Sequence, residues 1–280
     1  MKKHKICKIL LVILAIFLCV AFYELLGICV AYKKQPEVSN TTKKETKNGS
    51  WNECSENTER AVIIEKNPEA LLQRVRLIKN AKKEIILSTF AFQSDESGKL
   101  ILGALHDAAD RGVHIRLLVD GMESWIDMEG NPYFYGLSSH ENVEIKLYNK
   151  ANPLKPWKMM GRMHDKYLIA DGKRYILGGR NTYNYFLGDF PGHKNYDRDV
   201  LVVCDEPEKE NSVNQLLEYF ETIWEQEDSD YFHDNKKLAN RKSVKNAVLE
   251  LQNGYQKYFE ENKERICDTC LLYTSDAADE

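Results

Sequence analysis

The chain has 280 residues, 43% hydrophobic and 29% charged, with a formal charge of −4 at pH 7. Enough apolar side chains are present to bury a core, so a disordered, collagenous or disulfide-scaffold protein is excluded, and seven cysteines leave no pairing that sequence can choose. The first 34 residues hold six lysines and one glutamate, which leaves the remainder acidic, without the broad basic face that nucleic-acid phosphates require.

Residues 1–8 form a basic segment, and residues 9–32 are apolar apart from Glu24. That length suits a helix crossing a hydrocarbon layer of about 30 Å. The span reads as an uncleaved anchor or as a signal segment ending near Ala31; the lack of a clean small-x-small cleavage site favours the anchor. Lysines ahead of the span place the amino end in the cytoplasm and the rest outside the cell membrane, as a single-pass protein, with Lys33 and Lys34 pulling the other way. Residues 33–60, rich in Lys, Thr, Asn, Glu and Ser, read as a flexible linker.

The folded domain is expected over residues 61–230. Leu71, Leu72, Val75, Ile78 and Ala81 recur at helical spacing, with Asn67 as a cap and Pro68 in the first turn. A strand follows over Glu84–Phe92, a helix over Lys99–Arg111 closed by Gly112, and a strand over Val113–Val119 that ends at Asp120-Gly121. This alternation predicts an α/β sheet. Another strand, Val143–Tyr148, precedes a polar loop over Asn149–Arg162, a length at which loops are often functional. Further on, Glu208–Trp224 reads as an amphipathic helix covering the sheet.

Chemistry concentrates after the loop. Tyr167–Ala170 and Arg174–Leu177 flank Asp171-Gly172, a strong hairpin signal. His164 and Lys166 stand before the first strand, and Gly178, Gly179 and Asn181 stand at the end of the second, so the hairpin brings the polar groups to one end. An imidazole can attack phosphorus, Lys and Asn can donate to phosphate oxygens, and the paired glycines let backbone amides approach a phosphate. No metal or other cofactor is needed for this chemistry. Asp171 marks the turn side.

The pattern His164-x-Lys166-x4-Asp171-x6-Gly178-Gly179-x-Asn181 resembles the signature of the phospholipase D superfamily, in which the second glycine position is commonly Ser or Gly. Ser94–Leu100 and Asp197-Arg198-Asp199-Val200 are similar to flanking segments of bacterial cardiolipin synthase-type members. The resemblance implies an α/β lobe with a mixed sheet flanked by helices. His164 would be the nucleophile of a phosphohistidine intermediate, Lys166 and Asn181 the phosphate ligands, and Asp171 a support for the motif. Asp199, or else Asp197, would orient the His164 ring. Family enzymes pair two such motifs and this chain has one, which implies a homodimer or a second lobe absent from the sequence. Residues 231–269 resemble the helical bridge to that lobe, and residues 270–280 resemble a translated sequencing adapter.

The implied function is membrane-anchored cleavage or transfer of phosphatidyl groups on a phospholipid substrate, as in cardiolipin synthase. The alternatives are an extracytoplasmic phosphodiesterase or nuclease, which the acidic composition argues against, and a non-catalytic membrane-tethered fragment. Tyr133, Phe134 and Tyr135, with Trp157, Met159 and Met160, suit either an acyl-chain entrance or plain packing. His106, His114, His140, His193 and His233 lack ligand or motif spacing and read as surface or packing residues.

Overall fold

Runs of β-branched and aliphatic residues fix the strands, and their order in space is what builds the site. The structure is a computed structural model that describes residues 2–33, 40, 59–206, 211–233 and 236–267. Most of the expected linker, and all of 270–280, lie outside those residues. The chain divides into two compact units, one of residues 1–57 with 151–162, the other of the remainder.

In the first unit, α1 (Lys2–Lys33) contains a stretch, Lys5–Ala31, long and apolar enough by length and composition to cross a membrane. The Ala151–Arg162 loop, with a short 3-10 turn at Pro156–Lys158, completes that unit.

The second unit holds one mixed eight-stranded sheet: β1 (Glu59–Ile64), β2 (Glu84–Thr89), β3 (His114–Asp120), β4 (Val143–Tyr148), β5 (Lys166–Ala170), β6 (Arg174–Gly178), β7 (Asp199–Cys204) and β8 (Ser229–Tyr231). Their spatial order is β1-β7-β6-β5-β2-β3-β4-β8. β2, β3 and β4 run parallel to one another, and every other neighbouring pair is antiparallel. The parallel trio has helical crossovers: α2 (Asn67–Asn80) leads into β2, α3 (Glu96–Asp110) joins β2 to β3, and α4 (Gly121–Asp127) with α5 (Pro132–Ser138) joins β3 to β4.

Side chains alternate across the sheet and feed two cores. One packs Ile85, Leu87, Ile115, Leu117 and Leu168 against α2, α3 and α5. The opposite face packs Ile86, Leu118, Tyr167, Ile169 and Tyr175 under Val213, Phe220 and Trp224 of α6 (Ser212–Trp224). The sequence-based expectation of a helix over 208–224 thus starts late: Asn211 caps it by accepting from Asn214 N, and residues 207–210 lie outside the described set.

Three boundaries moved for identifiable reasons. The sheet begins at Glu59 rather than Ala61, because β1 pairs along its whole length with β7. β2 stops at Thr89, three residues short of Phe92, where the chain leaves the sheet and makes only an isolated bridge, Phe92 to Thr182. α3 begins at Glu96 because Asp95 caps it, accepting from Gly98 N at 3.0 Å. Beyond β8 the expected bridging helix is three pieces, α7 (Lys236–Ala239), α8 (Lys242–Glu261) and α9 (Lys263–Cys267). α8 lays Val244, Ala247, Leu251, Tyr255 and Phe259 into the first core, so it forms part of this domain's helical layer.

Candidate active site

Asp171 sits at φ +55°, a left-handed conformation that Asp tolerates in a tight turn, and closes the β5–β6 hairpin as the sequence indicates. The register pairs Tyr167 with Leu177 and Ala170 with Arg174, so Lys166 and Gly178 lie together at the far end. The Asp171 carboxylate accepts from the backbone N–H groups of Lys82, Lys83 and Glu84 at 2.7–3.1 Å. It therefore pins the hairpin turn to the start of β2, about 20 Å along the strand from His164.

At the open end three of the candidate side chains meet the segment that follows β2. The exposed His164 ring stands edge-on to Phe90, centroids 4.7 Å apart. Lys166 is buried; its Nζ donates to the His164 carbonyl at 2.8 Å and lies 5.3 Å from the Phe90 ring centre. Asn181 Oδ1 accepts from Ala91 N at 3.2 Å, while its NH2 faces the Tyr183 hydroxyl and keeps a second hydrogen to donate. The strand-like contact of 91–93 with 182, through Thr182 N to Ala91 O and Gln93 N to Thr182 O, holds Asn181 in place. Burial pushes the Lys166 ammonium below its ordinary pKa, and the nearby Asp165 and Asp197 carboxylates oppose that shift.

Asp120, at the carboxyl end of β3, does more than end a strand. Its Oδ1 caps α4 through Met122 N and Glu123 N, and its Oδ2 accepts from Met163 N at 3.1 Å, which fixes the backbone next to His164. Its position at the edge where parallel strands end was the available signal. Phe90 carries no such signal.

The carboxylate assigned to orient His164 does something else. Asp199 is fully buried, and its Oδ2 takes an ion pair from Arg74 at 2.9 Å and another from Arg180 at 3.2 Å. No hydrogen bond joins Asp199 to His164: both guanidiniums engage Oδ2, and the buried Oδ1 has no hydrogen-bond partner among the described residues. Arg180, the unassigned residue between Gly179 and Asn181, also donates to the backbone oxygens of Ile64, Glu65 and Asp197 and to Asn67 Oδ1. Asn67, expected as a helix cap, spends its side chain on Arg180 and on Asn195 O, and Lys66 is the capping residue.

The glycines face these carboxylates. A Cβ on Gly178 would collide with Asp199 Oδ1 and stand 2.6 Å from Arg198 O; the three atoms nearest one on Gly179 all belong to the side chain of exposed Asp197. Of the aromatic candidates, Phe134 and Tyr135 are core residues, with Phe134 edge-on to Phe92, and Tyr133 donates to Glu250. None of the three is an acyl-chain entrance. His106 and His140 share Asp110, His114 pairs with Glu144, and His233 pairs with Glu129.

The family model described as "Cardiolipin synthase, PLD-like domain" matches residues 74–224, from α2 to the end of α6 and across the whole motif. The chain belongs to this family. An uncharacterised protein of Helicobacter pylori strain J99 is 30% identical over 212 residues, 70% of this chain and 39% of that protein. Cardiolipin synthase C of Escherichia coli K12 is 29% identical over 171 residues, 56% of this chain and 34% of that enzyme. The structure of phosphatidylserine synthase from Haemophilus influenzae Rd KW20 superposes with a TM-score of 0.50 at 18% identity, covering 79% of this chain and 48% of that one, a likeness of fold. This phospholipase D-like chain spans about two-fifths of the length of the curated relatives it matches. Membership is consistent with phosphodiester chemistry.

Proposed function

We propose that this phospholipase D-like domain cleaves or transfers phosphatidyl groups at a membrane, through a phosphohistidine on His164. The observation that carries the reading is the grouping of exposed His164, buried Lys166 and the Asn181 amide around one short segment, Phe90-Ala91. A His164 ring nitrogen attacks phosphorus; an N–P bond forms and the bond to the leaving alcohol's oxygen breaks. Lys166 and the free Asn181 hydrogen donate to the non-bridging oxygens as charge builds there. Water or a lipid alcohol then attacks the phosphohistidine, and the N–P bond breaks to regenerate the imidazole. The departing alkoxide needs a proton, which a second His-x-Lys motif would supply from another lobe or a partner copy. Asp171 and Asp199 act as supports, one on the hairpin turn and the other on the Arg74–Arg180 pair.

In the same reading α1 anchors the chain in the cell membrane, with the domain outside the cytoplasm and beside its phospholipid. The test is turnover of vesicle phospholipid by the full-length protein, with trapping of a radiolabelled, acid-labile phosphoenzyme. His164→Ala should abolish the phosphoenzyme and lower turnover on the order of a thousandfold or more. Unchanged turnover removes His164 as nucleophile, and metal-free cleavage of DNA with lipid left intact reassigns the substrate.

A further inference from the structure

Two residues before His164, the chain completes a loop that belongs to the same compact unit as α1. Ala151–Arg162 is a string of turns: Leu154 N donates to Asn152 Oδ1 at 2.9 Å, Lys155 N to Asn152 O at 2.9 Å, Lys158 N to Lys155 O at 2.9 Å and Gly161 N to Lys158 O at 3.0 Å. It lies on one stripe of α1. The Tyr23 hydroxyl donates to Leu154 O at 3.0 Å, and Gly27 is buried where any Cβ would collide with Pro156. Glu24, Ile28 and Ala31, spaced to share that stripe, are half-buried.

The loop's outer surface is unusual for one so polar in composition. Leu154 is 78% exposed, Trp157 46% and Met160 55%. Lys155 and Lys158 stand between them and Arg162 follows, with no acidic residue from 151 to 162. Aliphatic and tryptophan side chains interleaved with cations are the composition of a surface that lies in a bilayer's headgroup region. The depth agrees. Lys5–Ala31 is 27 residues, a helix of about 40 Å, against a hydrocarbon layer of about 30 Å. With the basic amino end held at the cytoplasmic face, roughly seven residues emerge on the other side, which brings Glu24 to the boundary and sets Gly27, where the loop packs, among the headgroups.

We propose that Ala151–Arg162 is an interfacial insertion loop: Leu154, Trp157 and Met160 enter the boundary between acyl chains and headgroups of an anionic phospholipid leaflet, with exposed Lys155 beside the lipid phosphates. The loop ends two residues before His164 in the chain, so its insertion tethers the proposed nucleophile to the lipid surface. The inference rests on the membrane-anchored reading above.

The test uses the full chain reconstituted in liposomes of phosphatidylglycerol and phosphatidylethanolamine, part of it brominated on the acyl chains. Tryptophan fluorescence of the wild type should be quenched, and Trp157→Phe should remove most of the quenched component. The double variant Leu154→Glu/Met160→Glu should lower quenching and slow consumption of vesicle lipid about tenfold, while a water-soluble short-chain phosphodiester is turned over at the wild-type rate. Equal quenching in wild type and Trp157→Phe, or undiminished lipid consumption by the Glu variant, overturns the proposal. A chain that fails to float with liposomes overturns the anchor and the loop together. A chain that floats and loses quenching in Trp157→Phe, yet is inert towards both substrates, supports insertion and sinks only the catalytic reading.

Discussion

In the proposed mechanism Lys166 holds phosphate only while protonated, and burial makes that harder, with Asp165 and Asp197 partly restoring its proton affinity. The alkaline limb of kcat/KM, which reports the free enzyme, should therefore fall below the ordinary lysine value of 10.5. Asp197→Asn keeps an oxygen for the Arg198 N–H but removes the charge, so it should move that limb to still lower pH. A pH–rate profile checks both, and a limb that stays put shows another group limits activity. The two glycines make a sharper contrast. At position 178 an added methyl meets the Arg198 carbonyl and buried Asp199, so Gly178→Ala should cost about 1–3 kcal/mol in a denaturant melt. At position 179 the nearest atoms belong to exposed Asp197, which can turn, so Gly179→Ala should stay within about 0.5 kcal/mol. His164, Lys166 and Asn181 were legible because hairpin geometry converts linear spacing into proximity. Phe90 and Arg180 were not, since their roles come from strands and loops distant in sequence.

Elements are tied to one another by buried charge as much as by apolar contact. Asp199 opens β7, Arg74 lies in α2, and Arg180 follows β6; one carboxylate joins all three with every partner at most 4% exposed. Burial pulls the Arg180 pKa down and Asp199 holds it up, the balance expected of a guanidinium kept charged by a single buried anion. Asp199→Ala would leave two buried cations without that anion, and should destabilise the domain by about 3–5 kcal/mol in urea unfolding. Were Asp199 only a ring-orienting group, activity would fall with stability unchanged. Sequence patterns placed most elements, because periodicity and the Asp171-Gly172 turn are local signals. They missed where β2 stops and where α3 starts, since both depend on residues 181–184: Thr182 pairs with 91–93, and Asn184 N donates to Asp95.

At the scale of the whole chain, the distribution of charge argues for one topology. Lys2, Lys3, Lys5 and Lys8 crowd against the start of the apolar stretch, whereas Lys33 and Lys34 adjoin its end and Lys43, Lys44 and Lys47 stand farther along the chain, so the denser cluster at the amino end should keep that end in the cytoplasm. The protein carries its own reporters: Cys7 lies at the start of α1 and Cys267 at the end of α9, and both are exposed. A variant whose one cysteine is Cys267 should react with a membrane-impermeant maleimide in intact cells, and one with Cys7 alone should react only after permeabilisation. The reverse pattern inverts the topology and puts the domain in the cytoplasm. Cleavage near Ala31 gives a third result that neither orientation produces. Cys7 would be absent from the mature chain, the mass would drop by roughly 3.5 kDa at about 110 Da per residue, and a carbonate wash would release the domain. In that case the interfacial loop would lose the helix it packs on, so the labelling experiment decides how the site meets its lipid as well as where it resides.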